Sequence, residues 1–237
     1  MSGAFSASFS DAAQDYRLLL DKGYPVDACI RLVGDRYRLD KVGRTILFRG
    51  ILPEKLSLEN SQRRATSLTP KTSIAIDGYN LLFTITNYLR GHPLFIATDG
   101  FLRDAGGAHG HVVDSGQFLT AIDECCAGME KLSVARAQIF LDAPISRSAE
   151  HAHAARVALS VHHINGDVIL VPSADTLVAG WEGDAAASSD SVVIANAHSP
   201  VFDLARYILE TRYSAGFPDL SVFLAAQDKN LRPTERG

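Results

Sequence analysis

A chain of 237 residues, 46% apolar and 21% charged, has ordinary globular composition and enough length to bury a sizeable core. Its 27 acidic and 23 basic residues leave a formal charge of −4, which excludes a global positive field, so contact with nucleic acid depends on a local patch or on metal. The first residues lack the basic start and apolar run of a signal peptide, and no stretch reaches the roughly 20 apolar residues of a membrane span; the expectation is a cytoplasmic protein with no membrane role.

From Asp11 to Pro53 the pattern is helical. Val26, Cys29, Ile30 and Val33 keep the i, i+3, i+4, i+7 spacing behind Pro25, and Gly34 lies near that helix's end. Asp40 is placed to cap a further helix through Val42, Ile46 and Leu47 that Gly50 ends. The polar run 57–73, with Arg63, Arg64 and Pro70, reads as a linker. Residues 1–70 are therefore a helical module and linker, and residues 71–237 a second domain.

In that second domain short β-type runs alternate with helical ones. SIAID (73–77), LFIAT (94–98), QIFLD (138–142), DVILV (167–171) and SVFLAA (221–226) are the predicted strands. Helices are predicted up to Arg90, from about Ser115, over roughly 147–163, after Ser173, and from Ser199-Pro200 through Ile208. This alternation predicts an α/β fold with a parallel sheet covered on both faces. In such sheets the site lies beyond the carboxyl ends of the strands.

Acids stand at those ends. Asp77 closes SIAID, Asp142 closes QIFLD, Asp99 follows LFIAT, Asp175 opens the helix after DVILV, and Asp190 follows AAASS. Gathering like charges raises their pKa values unless a cation neutralises them. A hard divalent ion, Mg²⁺ or Mn²⁺, favours such oxygens and activates water for in-line attack on phosphorus. Taken singly, each aspartate also suits a helix cap or a turn. AAAS has poor β propensity, and SVVIA (191–195) competes with it as the strand, which would put Asp190 at the other end.

The motifs I-D-G-Y-N (76–80), F-L-D-A-P (140–144), S-A-D-T-L (173–177) and S-S-D (188–190) stand in the order found in PIN-like nucleases. Residues 72–210 resemble that group, and the NYN type in particular. The whole chain resembles an uncharacterised prokaryotic family that joins a short helical module to such a domain. The resemblance implies a three-layer α/β/α domain that cuts single-stranded or structured RNA with Mg²⁺ or Mn²⁺. It implies that Asp77, Asp142, Asp175 and Asp190 hold the metal, with Asn80 supporting Asp77 and Ser189 contributing a nearby hydroxyl. Cleavage of DNA and formation of a homodimer are open under the same resemblance. So is a catalytically inactive PIN-like module that binds RNA or a protein.

Other residues extend this set. Asp99 and Asp104 are candidates for the metal shell, and Arg103 for substrate phosphate, or all three belong to a loop held by its own bonds. His109 is a candidate for contact with a phosphate or a leaving oxygen. Ser146 and Arg147 stand at a predicted helix start that suits an anion, although Ser148 also suits a plain cap. His151 and His153, two apart on a helix, do not share a face and read as solvated. Arg31, Arg36, Arg38, Lys41, Arg44 and Arg49 form either a basic binding face or a solvated one.

Three cysteines, Cys29, Cys125 and Cys126, include no CxxC pair and read as reduced, partly buried thiols. A haloacid-dehalogenase phosphatase needs a second aspartate two residues after the first, where this chain has Tyr79. A Rossmann turn needs more glycines than IDGYN supplies, and GxxxxGK[ST] is absent.

Overall fold

The apolar runs of the second domain form one parallel sheet in the computed structural model, which describes residues 7–106, 115–221 and Leu224. The chain begins with α1 (Ala7–Asp21), α2 (Val26–Arg36), α3 (Lys41–Gly50) and α4 (Glu54–Arg63). It continues through β1 (Arg64–Ala65), β2 (Ser73–Asp77), α5 (Gly78–Leu89), β3 (Leu94–Ile96), β4 (Leu102–Asp104) and α6 (Ser115–Lys131). Next come β5 (Arg136–Asp142), α7 (Ser148–Val161), β6 (Gly166–Val171) and α8 (Ala174–Ala179). The last elements are β7 (Ala185–Ala187), α9 (Ser191–Asn196), β8 (Val201–Phe202) and α10 (Leu204–Tyr213).

Contacts divide the chain into two compact units. One comprises Gln62–Gly91 and Ala108–Gly216 and carries the six-stranded sheet, in the order β1-β8-β7-β2-β5-β6. Every neighbouring pair of these strands is parallel. From β2 the chain moves outward through β5 to β6, then returns by α8 to β7 on the other side of β2. Right-handed crossovers require those two journeys to use opposite faces. Accordingly α5, α6, α7 and α10 pack together on one face. On the other face, Ala75, Phe140, Val171 and Ala186 of the sheet meet Ala174 and Val178 of α8 and Val193 of α9. The fold is a three-layer α/β/α arrangement, as expected from the alternating pattern.

The AAA segment is the strand, and SVVIAN is a helix. Ala185, Ala186 and Ala187 are at most 1% exposed between β2 and β8, so burial overrides weak propensity. Asp190 caps α9 by accepting from Val192 N and Val193 N, which commits the following residues to a helical turn. Asp190 therefore follows its strand, on the carboxyl side.

The other unit comprises Met1–Ser61, His92–Gly107 and Phe217–Gly237. Its core joins Phe9, Ala13 and Tyr16 of α1, Cys29 and Val33 of α2, and Ile46 and Leu47 of α3 to Phe95, Ala97 and Leu220. Asp40 caps α3 as expected, accepting from Gly43 N at 2.7 Å. Several expectations need correction. LFIAT does not enter the parallel sheet; β3 pairs antiparallel with β4 in a separate ribbon belonging to this unit. The polar run 57–73 is not free of structure, since it holds the end of α4 and the edge strand β1, and the boundary between the two units falls within it, between Ser61 and Gln62. Pro200 precedes β8, and Asp203 rather than Ser199 caps α10. Of the last predicted strand, Ser221 and Leu224 are helical and the rest lies outside the described residues. Cys29, Cys125 and Cys126 are free and buried. Among the described residues no helix is long and apolar enough to cross a membrane.

Candidate acidic site

The direction of travel in the sheet reverses between β2 and β7, and at that point an open α/β sheet leaves a crevice beyond its carboxyl edge. Asp77 ends β2 there and is 3% exposed. Its Oδ1 accepts from the backbone N of Asn80 at 3.4 Å, capping α5, and its Oδ2 accepts from the Ser188 hydroxyl at 2.9 Å. The Asn80 side-chain oxygen accepts from both the backbone N and the hydroxyl of Ser189, each at 2.9 Å. The start of α5 and the segment after β7 are thereby tied together. Ser188 Oγ also accepts from the backbone N of Asp190 at 3.1 Å.

Asp77 is in register with Phe140 on β5, so Asp142, two residues on, shares its face of the sheet. Asp142 Oδ1 accepts from Ala174 N at 3.0 Å, which draws the start of α8 against the end of β5. Asp175 follows in the first turn of α8, exposed at the rim. Among the described residues, Asp142 Oδ2, Asp190 Oδ2 and the Asp175 carboxylate accept no hydrogen bond.

Asp77 and Asp175 feel the neighbouring acids. Burial pushes Asp77 up to about 7; the charges of Asp175 and Asp142 add to the rise, and the Ser188 and Asn80 hydrogen bonds oppose it. Asp175 is raised by partial loss of solvent, then by the charges of Asp190 and Asp142. This donor set suits a hard divalent cation: oxygen only, partly open, and carrying repulsion that a cation relieves. Among the described residues no three acidic, histidine or cysteine side chains are grouped closely enough to hold an ion.

Of the residues expected around the cluster, Asp77, Asn80, Asp142, Asp175, Ser189 and Asp190 are brought together. Asp99, Arg103 and Asp104 belong to the other unit, which holds α1 to α3. Asp99 is fully buried and takes both ends of the Arg103 guanidinium at 2.7 and 2.8 Å, together with Asn60 Nδ2 at 3.1 Å. Asp104 is paired with Arg49 at 2.9 Å. Their charges are already neutralised, so neither carboxylate is available as a metal ligand nor Arg103 as a phosphate clamp. Arg36 and Arg44 likewise face acids, Asp15 and Asp35, which thins the basic face of the helices.

Arg147 adopts a left-handed backbone at the start of α7 and pairs with Glu150, while Ser148 donates to Ala143 O and Ser146 is exposed. His109 lies outside the described residues. His151 corrects an expectation, being buried rather than solvated. Its ring stacks on Phe118 with centroids 3.9 Å apart, and its Nδ1 bonds the Tyr79 hydroxyl at 2.9 Å. His153, two residues on, is exposed.

Two features escaped sequence reasoning. Ser188, the first serine of S-S-D, bonds Asp77 directly, and its place in a motif naming two serines was the available signal. The Tyr79–His151 pair had no signal, because its members are 72 residues apart.

Comparison with known proteins gives relatives without assigned function. The chain is 26% identical over 189 residues to "Uncharacterized protein MJ0935" of Methanocaldococcus jannaschii, covering 79% of this chain and 89% of that protein. No solved structure matches significantly. Residues 8–63 match the family described as Protein of unknown function (DUF434). Residues 67–207, which include all four clustered aspartates, match the family described as Domain of unknown function (DUF5616), and the chain belongs to that family.

Proposed function

We propose that the sheet domain is a PIN-like nuclease of the NYN type, a cytoplasmic endoribonuclease dependent on Mg²⁺ or Mn²⁺. The observation that carries this reading is the delivery of Asp77, Asp142, Asp175 and Asp190 by four different segments to the sheet's carboxyl edge, where the Asp77 and Asp175 carboxyls feel neighbouring acids of the set. These four would hold the ion. When bound, it neutralises their charge, activates water and stabilises the departing oxygen of a phosphodiester.

The protein's own residues orient the set. Ser188 and the Asn80 backbone fix both oxygens of Asp77, and the Asn80 side chain fixes the loop that carries Ser188 and Asp190. Ala174 N turns one oxygen of Asp142 toward α8 and leaves the other for ligation. No protein nucleophile is required.

A second reading, a PIN-like module that binds RNA or a protein without cutting, draws on the absence of a ready-made three-ligand group among the described residues. Incubation of the full chain with single-stranded RNA, and in parallel DNA, in Mn²⁺ or EDTA separates the two. The nuclease reading expects metal-dependent cleavage that Asp77→Asn and Asp142→Asn abolish. Tight RNA binding with no cleavage in Mn²⁺ supports the inactive module.

A further inference from the structure

Beside the acidic cluster, α8 and α9 border a groove of about 410 Å³, within the range of small-molecule sites. Asp175 belongs both to its lining and to the cluster, where its carboxyl feels Asp190 and Asp142. The groove is built rather than incidental. The backbone N of His198 donates to Ala179 O at 2.8 Å, and the Ser199 hydroxyl shares its one proton between Trp181 O and Gly183 O, at 2.6 and 2.8 Å, so the segment after α9 is clamped to the end of α8.

The lining has two chemistries. Ala179, Gly180 and Val192 give a small apolar surface, and Val192 is 64% exposed although it is an aliphatic side chain. Thr176, Asn196 and His198 give hydrogen-bonding groups. Asn196 donates one amide N–H to Val192 O at 2.8 Å, which holds the amide on α9 and leaves its carbonyl and second N–H as bonding capacity. Among the described residues no lysine or arginine lines the groove. It therefore suits a flat, uncharged heterocycle with a polar edge, while a phosphate attached to that heterocycle belongs with the acids and their cation.

We propose that this groove holds the nucleoside adjoining the phosphodiester at the acidic cluster, its base against Val192 and Ala179 and its edge read by Asn196 and His198. The inference rests on the nuclease reading for the neighbouring site but is tested apart from it. The ¹⁵N-labelled full chain is titrated in Mg²⁺ with the four nucleoside 5′-monophosphates. The expected result is a set of amide shifts at Thr176, Gly180, Asn196 and His198 beyond those caused by Mg²⁺ alone. In Asn196→Ala and His198→Ala, binding should weaken about tenfold, the loss of one hydrogen bond to a bound base. In parallel, cleavage of oligo-U, oligo-A and oligo-C in Mn²⁺ should show a KM raised about tenfold in these variants and a flattened preference among bases.

Nucleotide binding in the groove without any cleavage upholds the groove and defeats the nuclease reading. Cleavage with no groove shifts, and with KM and base preference unchanged in both variants, defeats the groove and leaves the nuclease standing. Shifts produced by Mg²⁺ alone, with none added by nucleotide, also overturn the groove.

Discussion

The Ser188 hydroxyl donates to Asp77 Oδ2 at 2.9 Å, bridging the ends of β7 and β2 where the strand order of the sheet reverses. This bond opposes the rise in the Asp77 pKa, because it favours the charged carboxylate. Removing it in Ser188→Ala should drive Asp77 further toward its neutral form and loosen the orientation of one oxygen. Hydrogen bonds to a ligating carboxylate are commonly worth about 10- to 100-fold in metal affinity. Calorimetric titration with Mn²⁺ should show at least a tenfold weaker site; equal affinity would remove Ser188 from the metal-orienting set.

A buried carboxyl held near 7 makes the metal-free fold sensitive to pH. Between the ordinary aspartate value near 4 and about 7, the folded state keeps a proton that the unfolded state has lost, so stability falls as pH rises through that window. The ionised form costs on the order of 4 kcal/mol at most. Asp77→Asn should therefore be more stable than the wild type in EDTA at pH 8 and close to it at pH 4. Mn²⁺ should stabilise the wild type at pH 8 and leave the variant unchanged. Urea titrations at both pH values decide this, and a pH-independent difference would be the contrary result.

Why Asp77, Asp142, Asp175 and Asp190 belong to the parallel-sheet unit while Asp99 belongs to the other unit is a matter of strand pairing. All five follow apolar runs, and a run such as LFIAT carries no mark of its partner. Pairing β3 with β4 in antiparallel sends Asp99 and Arg103 to another core, where each is the other's counter-ion. The triple alanine of β7 was equally opaque. Its strand character comes from burial between β2 and β8, a tertiary effect that propensity does not register. Local rules did succeed where the cause was local, as at the Asp40 cap.

The Asp99–Arg103 pair gives a direct test of that correction. Arg103 is 2% exposed and Asp99 fully buried, so removing the cation leaves a buried charge without its partner. Arg103→Met should cost about 3–5 kcal/mol in urea unfolding. Replacing both residues, Asp99→Leu with Arg103→Met, should recover part of that loss, although Asn60 Nδ2 and Phe101 N lose an acceptor. Neither change should alter Mn²⁺ affinity in the folded protein. A metal site weakened by Arg103→Met would return Asp99 to the candidates.

His162 joins α7 to α6, with Nε2 against Asp123 and Nδ1 against Glu130, both at 2.9 Å. The Asp123 bond, then the Glu130 bond, raises its pKa above the usual 6.5. Its contribution is fully present below that ordinary value and disappears as pH rises through the raised one. Both acids are more than half exposed, so solvent screening limits the effect to about 1 kcal/mol. His162→Gln should lower stability by about that much at pH 6 and by less at pH 9. A deficit that grew with pH would contradict the assignment of a charged imidazolium.

Gly78, between Asp77 and Tyr79, tests how tightly the first aspartate is held. A Cβ at this position would lie 2.5 Å from Leu141 Cδ2, 2.9 Å from Ile139 Cγ2 and 2.9 Å from the carbonyl oxygen of Phe140. Leu141 and Ile139 are buried, and the Phe140 carbonyl belongs to β5 and moves only with the strand. In Gly78→Ala the start of α5 must lift from the sheet, carrying Asn80 away from Asp77 and Ser189. Overpacking of this kind costs about 1–3 kcal/mol, and Mn²⁺ affinity should fall with it because the Asp77 cap is loosened. Gly91→Ala is the control: a Cβ there meets nothing within 4 Å, and only the positive φ of 75° opposes it. It should therefore lose stability without losing affinity for Mn²⁺. If both variants bind Mn²⁺ as the wild type does, close packing at Gly78 serves the fold alone, and the I-D-G-Y-N spacing owes nothing to the metal.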